Sequence, residues 1–141
     1  MTTLNLQYFL AHPIPGDQSL HSLVNNVLRA SGMKPIVLAE PLPMNGSRIT
    51  SATHIRAAIE RASVLIADIS GASPNVMYEV GFAQGLRKPI LPIIHSGEEQ
   101  IPANLSGTQY LVYDPTHEED FRKLLARWAQ NYLRNWSAVR G

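Results

Sequence analysis

The chain contains no cysteine. That excludes thiol catalysis, disulfides and thiolate-ligated zinc, and it fits a cytoplasmic location. Charge is sparse as well: 16% of the residues are acidic or basic, and the formal net charge is only +1. Such a chain projects no basic field, so nucleic acid is not an expected partner. No stretch reaches the ~20 apolar residues of a membrane span. The opening "MTTLNLQYFLAHP" lacks the basic start and the apolar length of a secretory signal, so no membrane partner is expected either. What remains is 141 residues, 45% of them apolar. That suffices for a single domain over residues 1–141 that buries roughly two-thirds of its unfolded surface.

Along the chain, short apolar runs alternate with helical patterns. "LNLQYFLAH" (Leu4 to His12) is a predicted strand that stops at Pro13-Ile14-Pro15-Gly16. Leu20, Leu23, Val24, Val27 and Leu28 then mark one helical face, with Asp17 as start cap and Gly32 at the end. "PIVLAE" predicts a second strand and "PLPMNGSRIT" a mobile loop. Ile55, Ala58, Ile59 and Ala62 form the inner face of another helix, with Arg56, Glu60 and Arg61 outward. "SVLIADIS" has the near-continuous apolarity of a central parallel strand covered on both faces. Ser73 and Pro74 suit an N-cap and first helical residue. "KPILPII" and "TQYLVYD" predict the last strands. A C-terminal helix begins with Thr116 and Glu119 at capping-box spacing and buries Phe121, Leu124, Leu125 and Trp128. In "YLRNW", Tyr132, Leu133 and Trp136 offer an apolar patch through which the chain could form a homo-oligomer.

Strands alternating with helices predict an α/β doubly wound parallel sheet of five strands, in the flavodoxin-like order 2-1-3-4-5. Ligands bind such sheets beyond the carboxyl ends of the strands, where the order reverses. The expected crevice lies between the loop after the first strand (His12 to Asp17) and the loop after the third (Asp68 to Ser73).

One residue disturbs the apolar pattern. Glu79 is the only charge between Asp68 and Arg87. It lies five residues after Pro74, about 7.5 Å along a helix, and shares a face with Asn75 and Phe82. Gly81 and Gly85 weaken that helix by about 1 kcal/mol each, which suggests a close approach. A carboxylate there is desolvated, which raises its pKa, and faces a helix N-terminus, which lowers it. Such tension suits a catalytic acid or nucleophile. The competing reading is a carboxylate paired with a lysine or arginine, or one reaching water at the sheet edge. Asp68 has two readings also, a ribose ligand or a cap of the "SGAS" loop through backbone amides. Tyr78 reads as a packed aromatic. His12 and His95 follow strands at the ligand end, either as site residues or as ordinary loop residues. Gly46 to Arg48 could hold a phosphate at a helix N-terminus, or Arg48 could simply be solvated. The histidines have no zinc spacing, so no metal and no cofactor is expected.

From Ala62 to Ile93, "ASVLIADISGASPNVMYEVGFAQGLRKPILPI" resembles the nucleoside 2-deoxyribosyltransferase-like superfamily, including its TIR-like nucleotide-binding branch. The resemblance is carried by Asp68, Gly71, Pro74, Asn75, Val76, Tyr78, Glu79, Gly81, Lys88 and Pro89. It implies that Glu79 is the catalytic glutamate, meeting the anomeric carbon while an N-glycosidic bond breaks. His12, Asp68, Gly71, Asn75 and Tyr78 are then the implied substrate-binding residues. The chain departs from the deoxyribosyltransferases proper, which carry an Asp and a Gly-Thr ahead of the glutamate where Ser73, Asn75 and Val76 stand here. It also lacks the Trp-Cys pair of classical TIR domains. The expected function is N-glycosidic cleavage or transfer on a nucleoside or nucleotide, with an NAD-type dinucleotide or a nucleoside 5′-monophosphate as substrate. The alternative is a non-catalytic module that senses a nucleotide or assembles with partners.

Overall fold

The computed structural model describes residues 6–38, 52–98 and 100–140, with side chains described as far as Trp136. Gly46 to Arg48, and the predicted loop that contains them, lie outside these residues. Among the described residues five strands form one sheet: β1 (Gln7–Ala11), β2 (Lys34–Pro35), β3 (Val64–Asp68), β4 (Ile90–His95) and β5 (Leu111–Tyr113). Their order is β2-β1-β3-β4-β5 and every pairing is parallel. Among the same residues four α-helices flank the sheet: α1 (Gln18–Ala30), α2 (Ala52–Arg61) and α3 (Pro74–Gly85) lie between strands, and α4 (Glu118–Arg140) follows β5. This is the flavodoxin-like α/β arrangement that the alternating pattern predicts. No helix among the described residues is long and apolar enough to cross a membrane.

Each central strand splits its side chains between two cores. Tyr8, Val64, Ile66, Leu91 and Ile93 face α1 and α4. Phe9, Ala11, Leu65, Ala67 and Ile94 face α2 and α3. All five residues of β3 are buried, as a strand covered on both faces requires. Burying one such Ile or Leu is worth about 1.5–3 kcal/mol, so the middle of the sheet is its stiffest part.

Caps set the geometry at the carboxyl edge of the sheet. Asp17 accepts a hydrogen bond from the Leu20 N–H at 3.1 Å and starts α1 directly after the β1 loop. Gly32, at φ +100°, takes the chain out of that helix in a backbone conformation that other residues resist.

The structure departs from sequence expectation in four places. Only Lys34 and Pro35 pair as β2, although the Ile36 N–H still bonds the Tyr8 carbonyl at 2.9 Å. Val37 beyond them is exposed. The Thr116–Glu119 capping box does not form: α4 begins at Glu118, and Asp114 caps the preceding 3-10 turn by accepting from the Thr116 N–H at 2.9 Å. Leu124 is 45% exposed, and the buried stripe of α4 runs through Phe121, Leu125 and Ala129, with Trp128 packed at its border. The "YLRNW" patch is partly used inside the chain. Tyr132 and Leu133 pack against the core, and the Tyr132 hydroxyl donates to the Ser63 carbonyl at 3.1 Å.

Gly81 and Gly85 also differ from expectation. A Cβ at either position would meet nothing within 4 Å, so no described protein group approaches them closely. Gly81→Ala is therefore expected to raise stability by up to about 1 kcal/mol, measured as a shift in the denaturant midpoint. A loss of stability would show that the open space is filled in solution.

Candidate active site

Helix α3 rises from the carboxyl edge beside β1. Its N-terminus follows a 3-10 turn at Ser70–Ala72, where Gly71 takes φ +72°. Ser73 and Pro74 start the helix as expected, but the Ser73 hydroxyl bonds Asn75 Oδ1 rather than a free backbone amide. Val76, Val80 and Ala83 bury one side of the helix, and Glu79 goes in with them at 7% exposure.

In front of Glu79 lies a cavity of about 610 Å³. Its wall includes Phe9 and Leu10 of β1, His12 and Ile14 of the loop after it, Leu38 beyond β2, Ile55 of α2, and Asn75, Tyr78 and Glu79 of α3. Most of that lining is apolar, and a carboxylate on it is poorly solvated. No ion pair or hydrogen bond joins Glu79 to another described residue. Burial raises its pKa from 4.5 to about 7. Desolvation by the apolar wall is the cause of that rise.

The other polar groups of the wall are held in place. The Asn75 side-chain amide donates to the His12 carbonyl at 3.2 Å, which ties α3 to the end of β1. His12 Nδ1 lies 3.1 Å from the Pro13 carbonyl. A carbonyl can only accept, so Nδ1 is the donor of this contact and Nε2 is left to face other groups. Tyr78 is 50% exposed, stacks along Phe82 and accepts from Arg56 Nη1 at 3.2 Å. It stands at the wall of the cavity and is not packed inside, as its aromatic character alone suggested.

Asp68 and Gly71 stand elsewhere. Asp68 is 3% exposed and does not line the cavity. Its Oδ2 accepts from His21 Nε2 at 2.9 Å and its Oδ1 from the Ser70 N–H at 3.1 Å. Burial pushes its pKa up, but the bonds from His21 and Ser70 outweigh that and hold it below the ordinary range. Gly71 lines a second hollow of about 800 Å³ with Gly97 and Ile101. The crevice expected between the loops after β1 and β3 is thus displaced. The cavity lies between β1 and the α2–α3 pair, because the loop after β3 folds away onto β4, where the Ser70 hydroxyl accepts from the His95 N–H at 3.0 Å.

His21 was not evident as a site residue, although it lies three residues before Val24 and seven before Leu28 on the apolar stripe of α1. A histidine on a buried stripe, opposite an acid at a strand end, is the signal that could have found it. The Asp17–His95 pair, 3.1 Å apart, is a second contact that the sequence did not reveal. Among the described residues, no three metal-ligating side chains gather at one point.

No family model and no curated protein matches this chain. Solved structures do. A CMP N-glycosidase from Clostridium botulinum, BcmB, superposes with a TM-score of 0.60 at 18% identity, covering 84% of this chain and 97% of that one. A conserved protein from Enterococcus faecalis gives 0.57 at 14% identity over 86% and 88% of the two chains. The TIR domain of the Toll-related receptor TRR-2 from Hydra magnipapillata gives 0.57 at 20% identity over 91% and 95%. The likeness is one of fold, and it spans most of each chain.

Packing around the loop after β1 yields a direct test of this geometry. A Cβ on Gly16 would sit 2.5 Å from the Pro13 carbonyl oxygen and 2.8 Å from His21 Cε1. The carbonyl cannot yield without moving the loop. Gly16→Ala is expected to cost about 1–3 kcal/mol, read as a lowered denaturant midpoint with an unchanged m-value. A neutral result would mean that the loop packs less closely than described.

Proposed function

We propose that the chain cleaves or transfers the N-glycosidic bond of a nucleoside or nucleotide, with Glu79 as the group that meets the anomeric carbon. The observation that carries the reading is a buried carboxylate, with no cation partner among the described residues, on the wall of a mostly apolar cavity. A carboxylate held in such a place is poised to stabilise positive charge that develops in the cavity. Shared fold with a protein described as a CMP N-glycosidase supports the reading.

Breaking a C–N glycosidic bond moves its electron pair onto the leaving base and builds positive charge on the anomeric carbon. A carboxylate fixed in a poorly solvated wall stabilises that charge, or captures the carbon as an ester that water or a second base then opens. A pyridinium base, as in an oxidised nicotinamide dinucleotide, departs neutral and needs no proton. Other bases leave more readily with one, and His12 is the ionisable neighbour on the wall that could supply it. Asn75 and Tyr78 offer an amide and a hydroxyl for the sugar. The reaction as written requires no metal or cofactor.

The test is product analysis. Oxidised nicotinamide dinucleotides, nucleoside 5′-monophosphates and deoxynucleosides would be incubated separately with the protein, each with and without an acceptor base. Release of a free base without added metal is the expected result. Nicotinamide alone would select the dinucleotide substrate, base from monophosphates alone the nucleotide substrate, and exchanged base a transferase. Binding without product at high protein concentration would instead select a sensing module.

A further inference from the structure

His21 and Asp68 form a buried pair that the proposed chemistry does not use, 5% and 3% exposed. The His21 ring is held on three sides. Asp68 Oδ2 accepts from its Nε2 at 2.9 Å. Gly16 packs on its Cε1 so closely that a Cβ there would lie 2.8 Å away. The ring of His12 covers its face, with centroids 4.4 Å apart and planes inclined by 35°. Its Nδ1 is buried with no hydrogen-bond partner among the described residues.

An unmet buried nitrogen is a cost, and an apolar side chain would fill the same space without it. The value of the imidazole therefore lies in its Nε2 and its face. The bond to Asp68 fixes which nitrogen carries the proton and how the ring is turned. A ring fixed in that way is a rigid support for whatever rests on it. What rests on it is His12, together with the turn from Pro13 to Gly16.

We propose that His21 is a positioning residue: held by Asp68, its ring sets the place of the His12 imidazole at the wall of the Glu79 cavity. The inference rests on that cavity being the ligand site. Asn75 holds the His12 carbonyl from α3 independently. Loss of the His21 ring therefore frees the His12 imidazole without releasing its backbone.

His21→Gln is the informative variant, because its amide can still donate to Asp68 but has no aromatic face. His21→Ala strands Asp68 and can fail to fold. In NMR spectra of the whole protein without ligand, His21→Gln should shift and broaden the His12 ring signals while leaving those of Trp128 in α4 in place. With the nucleotide that the wild type cleaves, it should lower kcat/KM about tenfold, through KM where the base leaves without a proton and through kcat where His12 protonates it. In a His12→Ala background the same substitution should add less than about twofold, since its effect passes through His12. Unmoved His12 signals, or losses that multiply in the double variant, would overturn the inference. A wild-type chain that cleaves none of the panel would end the N-glycosidase reading, and the ring signals alone would then decide this one.

Discussion

Glu79→Gln is expected to lower turnover by at least about a hundredfold, the scale of losing one major electrostatic group at a reacting centre. The same substitution is expected to make the folded chain more stable at about pH 8, and the two effects together identify the residue's role. Glu79 has a folded pKa of about 7, raised by burial above the ordinary 4.5. Between those values the folded chain keeps a proton that the unfolded chain has released, so stability falls as pH rises through that window. Glutamine carries no charge to desolvate. The gain should be on the order of 1–3 kcal/mol above about pH 7, and should vanish below about pH 4.5. A glutamate serving as a structural ion-pair partner predicts the opposite sign, a loss of about 3–5 kcal/mol. Denaturant unfolding of both proteins at about pH 8 and about pH 4 measures the difference. A folded variant with wild-type turnover would remove Glu79 from the mechanism.

Turnover of the wild type should depend steeply on pH, for the same reason. On the proposed mechanism the reactive form is the carboxylate, which is half-formed at about pH 7. Below that, kcat/KM should fall about tenfold per pH unit, giving a loss near a hundredfold at about pH 5. Bound substrate displaces water from the cavity and should move the midpoint of kcat above that of kcat/KM. An ordinary, solvated glutamate would leave the rate flat from about pH 6 upward. A flat profile, with chemistry shown to be rate-limiting, would contradict the assignment of the carboxylate as the reacting form.

The fold was legible because its signals were of the strongest kind. "SVLIADIS" could only be a strand covered on both faces, and Asp17 and Pro74 marked two helix starts where the chain indeed begins α1 and α3. Edges were less legible. Nothing in "PIVLAE" shows that pairing stops after Pro35, and its last two residues lie outside the described ones. The isolation of Glu79 in an apolar helix pointed to a buried acid, and burial of that acid is what the structure shows. His12, Asn75 and Tyr78 share its cavity, whereas Asp68 and Gly71 do not. The direction of Asp68 depends on His21, which is 47 residues away in sequence. His21's place on the apolar stripe of α1 marks it as buried, but at that separation no local pattern pairs it with Asp68. Gly81 illustrates the converse, a glycine whose position suggested a close approach and whose surroundings are open.

Both the catalytic and the sensing readings require that a nucleotide lie against Glu79. The most direct measurement uses labelled Glu79→Gln protein, which should bind without turning ligand over. It would be titrated with an oxidised nicotinamide dinucleotide and, separately, with a nucleoside 5′-monophosphate while backbone and side-chain NMR signals are followed. The predicted result is saturable shifts at His12, Asn75, Tyr78 and the side-chain amide that the substitution introduces, with Leu124 and Trp128 of α4 unmoved. Shifts confined to Gly71, Gly97 and Ile101, or to α4, would place the ligand in another part of the molecule and contradict the account.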